Sequence, residues 1–91
     1  MELTSLPGHE LVLRGIDDLR HGSGSVEALL VSIGAPRLKQ AGIDVPEPLP
    51  EAEHRLYALL AAEEPDAAHG QYNALVRQLV SFEQAADARA R

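Results

Sequence analysis

Residues 66–91, DAAHGQYNALVRQLVSFEQAADARAR, contain no proline and one glycine, Gly70. Within them Ala68, Tyr72, Leu75, Leu79, Phe82 and Ala86 recur at alternating spacings of four and three. That is the seam of an amphipathic helix, close to a heptad seam. Val76 and Val80 widen the face to roughly half of the circumference at about 100° per residue. A face so wide must touch more than one neighbour. At the α-helical rise the stretch spans about 37 Å, long for a small chain.

The rest of the chain divides at its glycines and prolines. Residues 1–6 form an arm, with Leu3 and Leu6 available to pack. Ser5 is placed to cap a first helix with Pro7 in its first turn, running to His21 with Leu11, Val12, Ile16 and Leu19 on one face. Gly15 weakens that helix by about 1 kcal/mol relative to alanine, a cost that close helix contact would justify. Gly22-Ser23-Gly24 ends it, and Ser25 caps a second helix with Glu27 in its first turn and Val26, Leu29, Leu30 and Ile33 as its stripe. Pro36 disfavours helical geometry at Ala35, so a break is expected at Gly34-Ala35-Pro36. A short extra turn at 37–41 should follow, closed by Gly42 with Ile43 folding back on Leu38.

Pro46 and Pro48 stiffen an extended connector over 44–49. Pro50 should open a third helix, with Glu51 and Glu53 in its first turn and Ala52, Leu56, Leu59 and Leu60 facing inward. Glu64-Pro65-Asp66 reads as a tight stop and restart, with Asp66 as the next N-cap, which makes the last two helices an antiparallel hairpin. The expected fold is all-α: one domain, a small bundle of four main helices with a long C-terminal helix and a short extra helical turn.

Composition narrows the chemistry. The formal net charge of −6 opposes a phosphate-backbone partner, so no nucleic acid is expected. Cysteine is absent, which removes disulfides and thiolate chemistry. Met1-Glu2-Leu3-Thr4 lacks the basic start and apolar run of a signal peptide, and no apolar run approaches the roughly 20 residues that span a bilayer. The expectation is a cytoplasmic protein without membrane contact.

Glu51 with His54, and Asp66 with His69, each stand three apart, the spacing of carboxylate–histidine ligand pairs in di-iron bundles. In an antiparallel hairpin the two helix starts lie at opposite ends, so the pairs should not share a metal, and no metal or cofactor is expected. Glu83 is different: it falls inside the apolar face, between Leu79 and Ala86, with His69 and Asp87 on the flank. If the core reaches it, its carboxylate needs a partner, from Arg14, from Arg20 or from a basic protein. If the core ends at Phe82, it is solvated. His9 falls on the apolar side of the first helix, where a packed, hydrogen-bonded ring is the commoner role. Arg14 and His21 have a loose Arg-x6-His spacing similar to the motif of some helical ribonucleases. Gly15 stands where that motif has a polar residue, and nothing is carried over. Glu63-Glu64-Pro65-Asp66 makes an acidic tip.

The leading functional expectation is a non-catalytic helical protein–protein interaction or assembly module that self-associates, as a homodimer or within a small assembly. Its expected contact comprises Tyr72, Val76, Leu79, Val80, Phe82, Glu83 and Ala86, because the last helix should outreach its hairpin partner and leave the Phe82–Ala86 end uncovered. One alternative is a small helical enzyme, a hydrolase or metal-dependent, using Glu83 with His69 or His9. The other is an acidic, antitoxin-like regulator binding a basic protein.

Overall fold

The computed structural model describes residues 5–90. Within them the chain forms four helices, α1 (His9–Arg20), α2 (Val26–Gln40), α3 (Ala52–Glu63) and α4 (Ala68–Ala90), and no strand. The radius of gyration is 12.7 Å, close to the roughly 12 Å of a compact chain of this length. The all-α bundle expected from the sequence is what forms. Leu3 lies outside the described residues.

The most central helix is α2, not α4. It packs more extensively than α4 does against both α1 and α3, and its Leu29, Leu30, Val31 and Leu38 are almost wholly buried. Two devices position it. Ser25 Oγ accepts from the Ala28 N–H at 3.1 Å, the expected N-cap, and also donates to Asp18 on α1 at 2.5 Å. At the other end Ile43 N–H donates to the Leu38 carbonyl and Gly42 N–H to that of Lys39, both at 3.0 Å. With Gly42 at φ 87°, that is the Schellman closure the glycine suggested.

The break expected at Pro36 does not occur: α2 runs through it to Gln40, and the extra turn expected at 37–41 is its last turn. Proline removes one helical hydrogen bond. Its ring lies on the exposed side, while Ala35 and Leu38 are held in the core and the Schellman closure fixes the following turn.

Glycines set how closely α2 is approached. A Cβ on Gly15 would overlap the Glu27 carbonyl oxygen and Val31 Cγ2, so α1 lies directly on α2. A Cβ on Gly34 would lie 2.5 Å from Glu83 Oε2 and 2.8 Å from Leu79 Cδ1. That contact brings α4 onto the second half of α2.

The proline connector docks rather than floats. Val45 is buried, and the Leu49 N–H donates to Ser32 Oγ at 3.0 Å. Ser32 Oγ in turn donates to the Ala28 carbonyl at 2.8 Å, so this buried hydroxyl is satisfied in both senses.

Three helix starts differ from expectation. α1 is entered through Gly8 in a left-handed conformation (φ 76°), not capped by Ser5, whose hydroxyl accepts from Arg89 Nη1 at 3.1 Å. The reason is packing: a side chain at Gly8 would meet the Gln78 carbonyl oxygen of α4 at 2.8 Å, so only glycine lets the chain turn into α1 there. α3 begins at Ala52 with Glu51 as a left-handed N-cap (φ 53°), outside the first turn. The first turn of α4 closes on the Ala67 carbonyl, which accepts from the Gln71 N–H at 3.0 Å. Asp66 is therefore an exposed turn residue and not the cap.

Candidate functional site

Glu83 is the chemically unusual residue. It is 6% exposed, on the buried side of α4 among Leu79, Phe82 and Ala86. The core therefore continues past Phe82, and the last helical turns are not simply solvated. Gly34 makes the burial possible, because the carboxylate passes over the Hα face where any other residue would carry a Cβ. Burial raises the Glu83 pKa above the ordinary carboxylate range, and the Arg37 guanidinium partly offsets this.

The neighbouring cation is thus Arg37. It is neither Arg14, whose Nη1 lies 4.0 Å from Glu27, nor Arg20. The side chains of Pro36, Arg37, Gln40, Glu83, Gln84 and Asp87 line a cleft of about 510 Å³ between the ends of α2 and α4. Sequence reasoning missed Arg37 and read Gly34 only as a helix breaker. The signal was available, since the two stand three apart and share a helix side.

A second cleft, about 680 Å³, lies where the chain enters α1, lined by residues 5–11 with Arg14 and Gln78. His9 Nδ1 donates to the Leu6 carbonyl at 2.9 Å. That bond fixes the tautomer of the neutral ring and leaves Nε2 as its acceptor. His9 is therefore the half-buried, hydrogen-bonded histidine that its position suggested.

The structure does not bring Glu83 together with either His9 or His69. His9 and Glu83 line separate clefts with no residue in common. His69 is exposed, accepts from Asn73 Nδ2 at 3.2 Å, and stands fourteen residues before Glu83 on the same helix, about 21 Å away along the axis. Glu51 and His54 are exposed beside a third cleft, and Asp66 lies in the turn before α4. Among the described residues no three His, Asp or Glu side chains are placed to hold a metal ion. His21 Nδ1 donates to the carbonyl of Asp17 at 2.8 Å and forms no pair with Arg14.

The contact surface expected on α4 divides. Leu79, Phe82, Glu83 and Ala86 are buried within the protomer, so the expectation that the Phe82–Ala86 end lies uncovered is corrected. The second half of α2 and the turn at Gly8 cover it, a contribution the length of the hairpin partner could not reveal. Tyr72, Val76 and Val80 do reach the surface, Val80 being 38% exposed. Tyr57 of α3, 40% exposed, joins them: its ring centroid lies 5.8 Å from that of Tyr72 at an interplanar angle of 56°, a favourable aromatic geometry. Burial, and then Glu53, push the Tyr72 hydroxyl pKa up. Leu59, expected to face inward, is 42% exposed.

No helix among the described residues is long and apolar enough to cross a membrane. Comparison with protein families, with curated proteins and with solved structures gives no match.

Proposed function

We propose that the chain is a non-catalytic helical interaction module that self-associates through a strip formed by Tyr57 on α3 and Tyr72, Val76 and Val80 on α4. The observation that carries this is the strip itself. Tyr72, Val76 and Val80 follow one another at i, i+4 and i+8, so they line one side of α4, and the Tyr57 ring extends them across the hairpin. Apolar residues scattered singly on a surface need no explanation, whereas a contiguous run supports a contact surface. A twofold arrangement lets the same strip meet itself, with Tyr72 of one copy against Val80 of the next.

The strip is small beside the roughly 800 Å² per partner of a standard interface, so a weak, reversible dimer is expected. The formal charge of −6 works against association, and against a nucleic-acid partner, most strongly at low ionic strength. The module is accordingly proposed to act on protein, in the cytoplasm, without cofactor.

Sedimentation equilibrium up to millimolar protein in moderate salt tests this. The expected mass rises with concentration from 9.8 kDa toward twice that value. Val80→Asp, at an exposed position, should hold it at the monomer without loss of thermal stability. A wild-type monomer across the whole range would refute the proposal.

A further inference from the structure

Glu83 is buried as a charged group rarely is, and its surroundings leave it incomplete. Among the described residues its carboxylate makes no hydrogen bond and no ion pair, Arg37 acting on it only from a distance. It is not sealed in, since it lines the cleft closed on the α2 side by Pro36, Arg37 and Gln40 and on the α4 side by Gln84 and Asp87. The charged groups facing it are Arg37 from α2 and Asp87 from its own helix. With Glu83 ionised, the cleft carries two carboxylates and one guanidinium, and two amide side chains add neutral acceptors.

We propose that this cleft is a recognition site for a guanidinium group, with Glu83 as its buried anchor and the Gln40 and Gln84 amide oxygens as rim acceptors. A carboxylate so placed, without a hydrogen-bonded partner, bears a desolvation cost that the Arg37 charge offsets only in part. A cation entering the cleft supplies both charge and donors. Guanidinium suits the site better than ammonium because it is planar, weakly hydrated, and presents five N–H donors to several acceptors at once. An anion is disfavoured, since it would meet the Glu83 carboxylate. Arg37 is the internal competitor: it stands near enough to lower the Glu83 pKa yet does not occupy the carboxylate. The site does not depend on the apolar strip, and either could exist without the other.

The guanidinium could come from a free small molecule or from an arginine side chain of a protein. The test follows the Glu83 carboxyl ¹³C resonance and the backbone amides around Gly34 by NMR. The titrants are methylguanidinium chloride, an acetylated and amidated Gly-Arg-Gly peptide, and sodium chloride at matched ionic strength. The expected result is a saturable shift at Glu83 with the guanidinium probes and none with salt, together with a fall in the Glu83 titration midpoint when the probe is bound. A peptide at least tenfold tighter than methylguanidinium assigns the site to a protein arginine, and equal affinities assign it to a small molecule.

Glu83→Gln should weaken binding at least tenfold while amide shifts remote from the cleft stay in place. Arg37→Gln, which keeps the anchor and removes the competitor, should tighten binding several-fold. A response at Glu83 no larger than that to salt, undiminished binding by Glu83→Gln, or weaker binding by Arg37→Gln would each overturn the proposal.

Discussion

The two halves of α4 carry the same seam and meet different fates. In the second half Leu79, Phe82, Glu83 and Ala86 are buried. In the first, only Ala68 is fully buried, while Tyr72, Leu75 and Val76 remain half-exposed. The difference lies in what each half packs against. The second half lies on Gly34 of α2 and under Gly8, where absent side chains let backbones approach. The first half lies beside α3, whose twelve residues meet it with a tyrosine. A helix's own periodicity proposes a buried face; the neighbour's small residues decide how much of it is buried.

Substitutions that break this contrast should differ in size. Phe82→Ala removes a side chain with no exposed surface and should cost about 3–5 kcal/mol. Leu75→Ala and Val76→Ala, on the half-exposed section, should cost about 1 kcal/mol each, closer to the ordinary mutational mean. Urea midpoints with unchanged m-values would measure both, and equal losses would show that the two halves are packed alike.

Gly34→Ala should come next. The added methyl group meets Leu79 and the Glu83 carboxylate, and overpacking of this kind costs about 1–3 kcal/mol. Pairing it with Glu83→Ala should recover part of the loss, because the two share one contact. Strict additivity in that double-mutant cycle would show that Gly34 does not admit the carboxylate.

A smaller effect concerns pH. The folded-state pKa of Glu83 lies above its unfolded value. In the window just above the ordinary carboxylate range the native chain therefore binds more protons than the unfolded chain, and stability falls as pH rises through it. Glu83→Gln should flatten that fall and be more stable than the wild type at neutral pH. Thermal melts of both proteins across acid to neutral pH would check this, and parallel profiles would contradict it. The smallest change in protomer stability, under about 0.5 kcal/mol, is expected for exposed Val80→Asp.

Much of this was legible in the residues. Ser25 as a cap, Gly15 as a point of close approach, the closure at Gly42-Ile43 and the place of Glu83 on the apolar side of its helix all follow from local chemistry, and all are present. What a helical wheel omits is where a neighbour ends. Leu59 has the period of an inward residue, yet it is 42% exposed while Leu56 in the same turn is buried, so the neighbouring helices cover only one side of that turn of α3. The uninterrupted course of α2 through Pro36 was hidden for a similar reason, because local cost was visible and the surrounding burial was not. Tyr57 joined the strip only through tertiary contact.

The central claim is that α4 is divided into a half held inside the protomer and a strip left for a second copy. A dilution series of ¹H–¹⁵N spectra tests it most directly, from millimolar protein to the lowest usable concentration. The amides and ring protons of Tyr57, Tyr72, Val76 and Val80 should move together along one binding isotherm, while the amides of Phe82 and Ala86 stay fixed. Concentration-independent spectra throughout, or shifts centred on Phe82 and Ala86, would contradict the account.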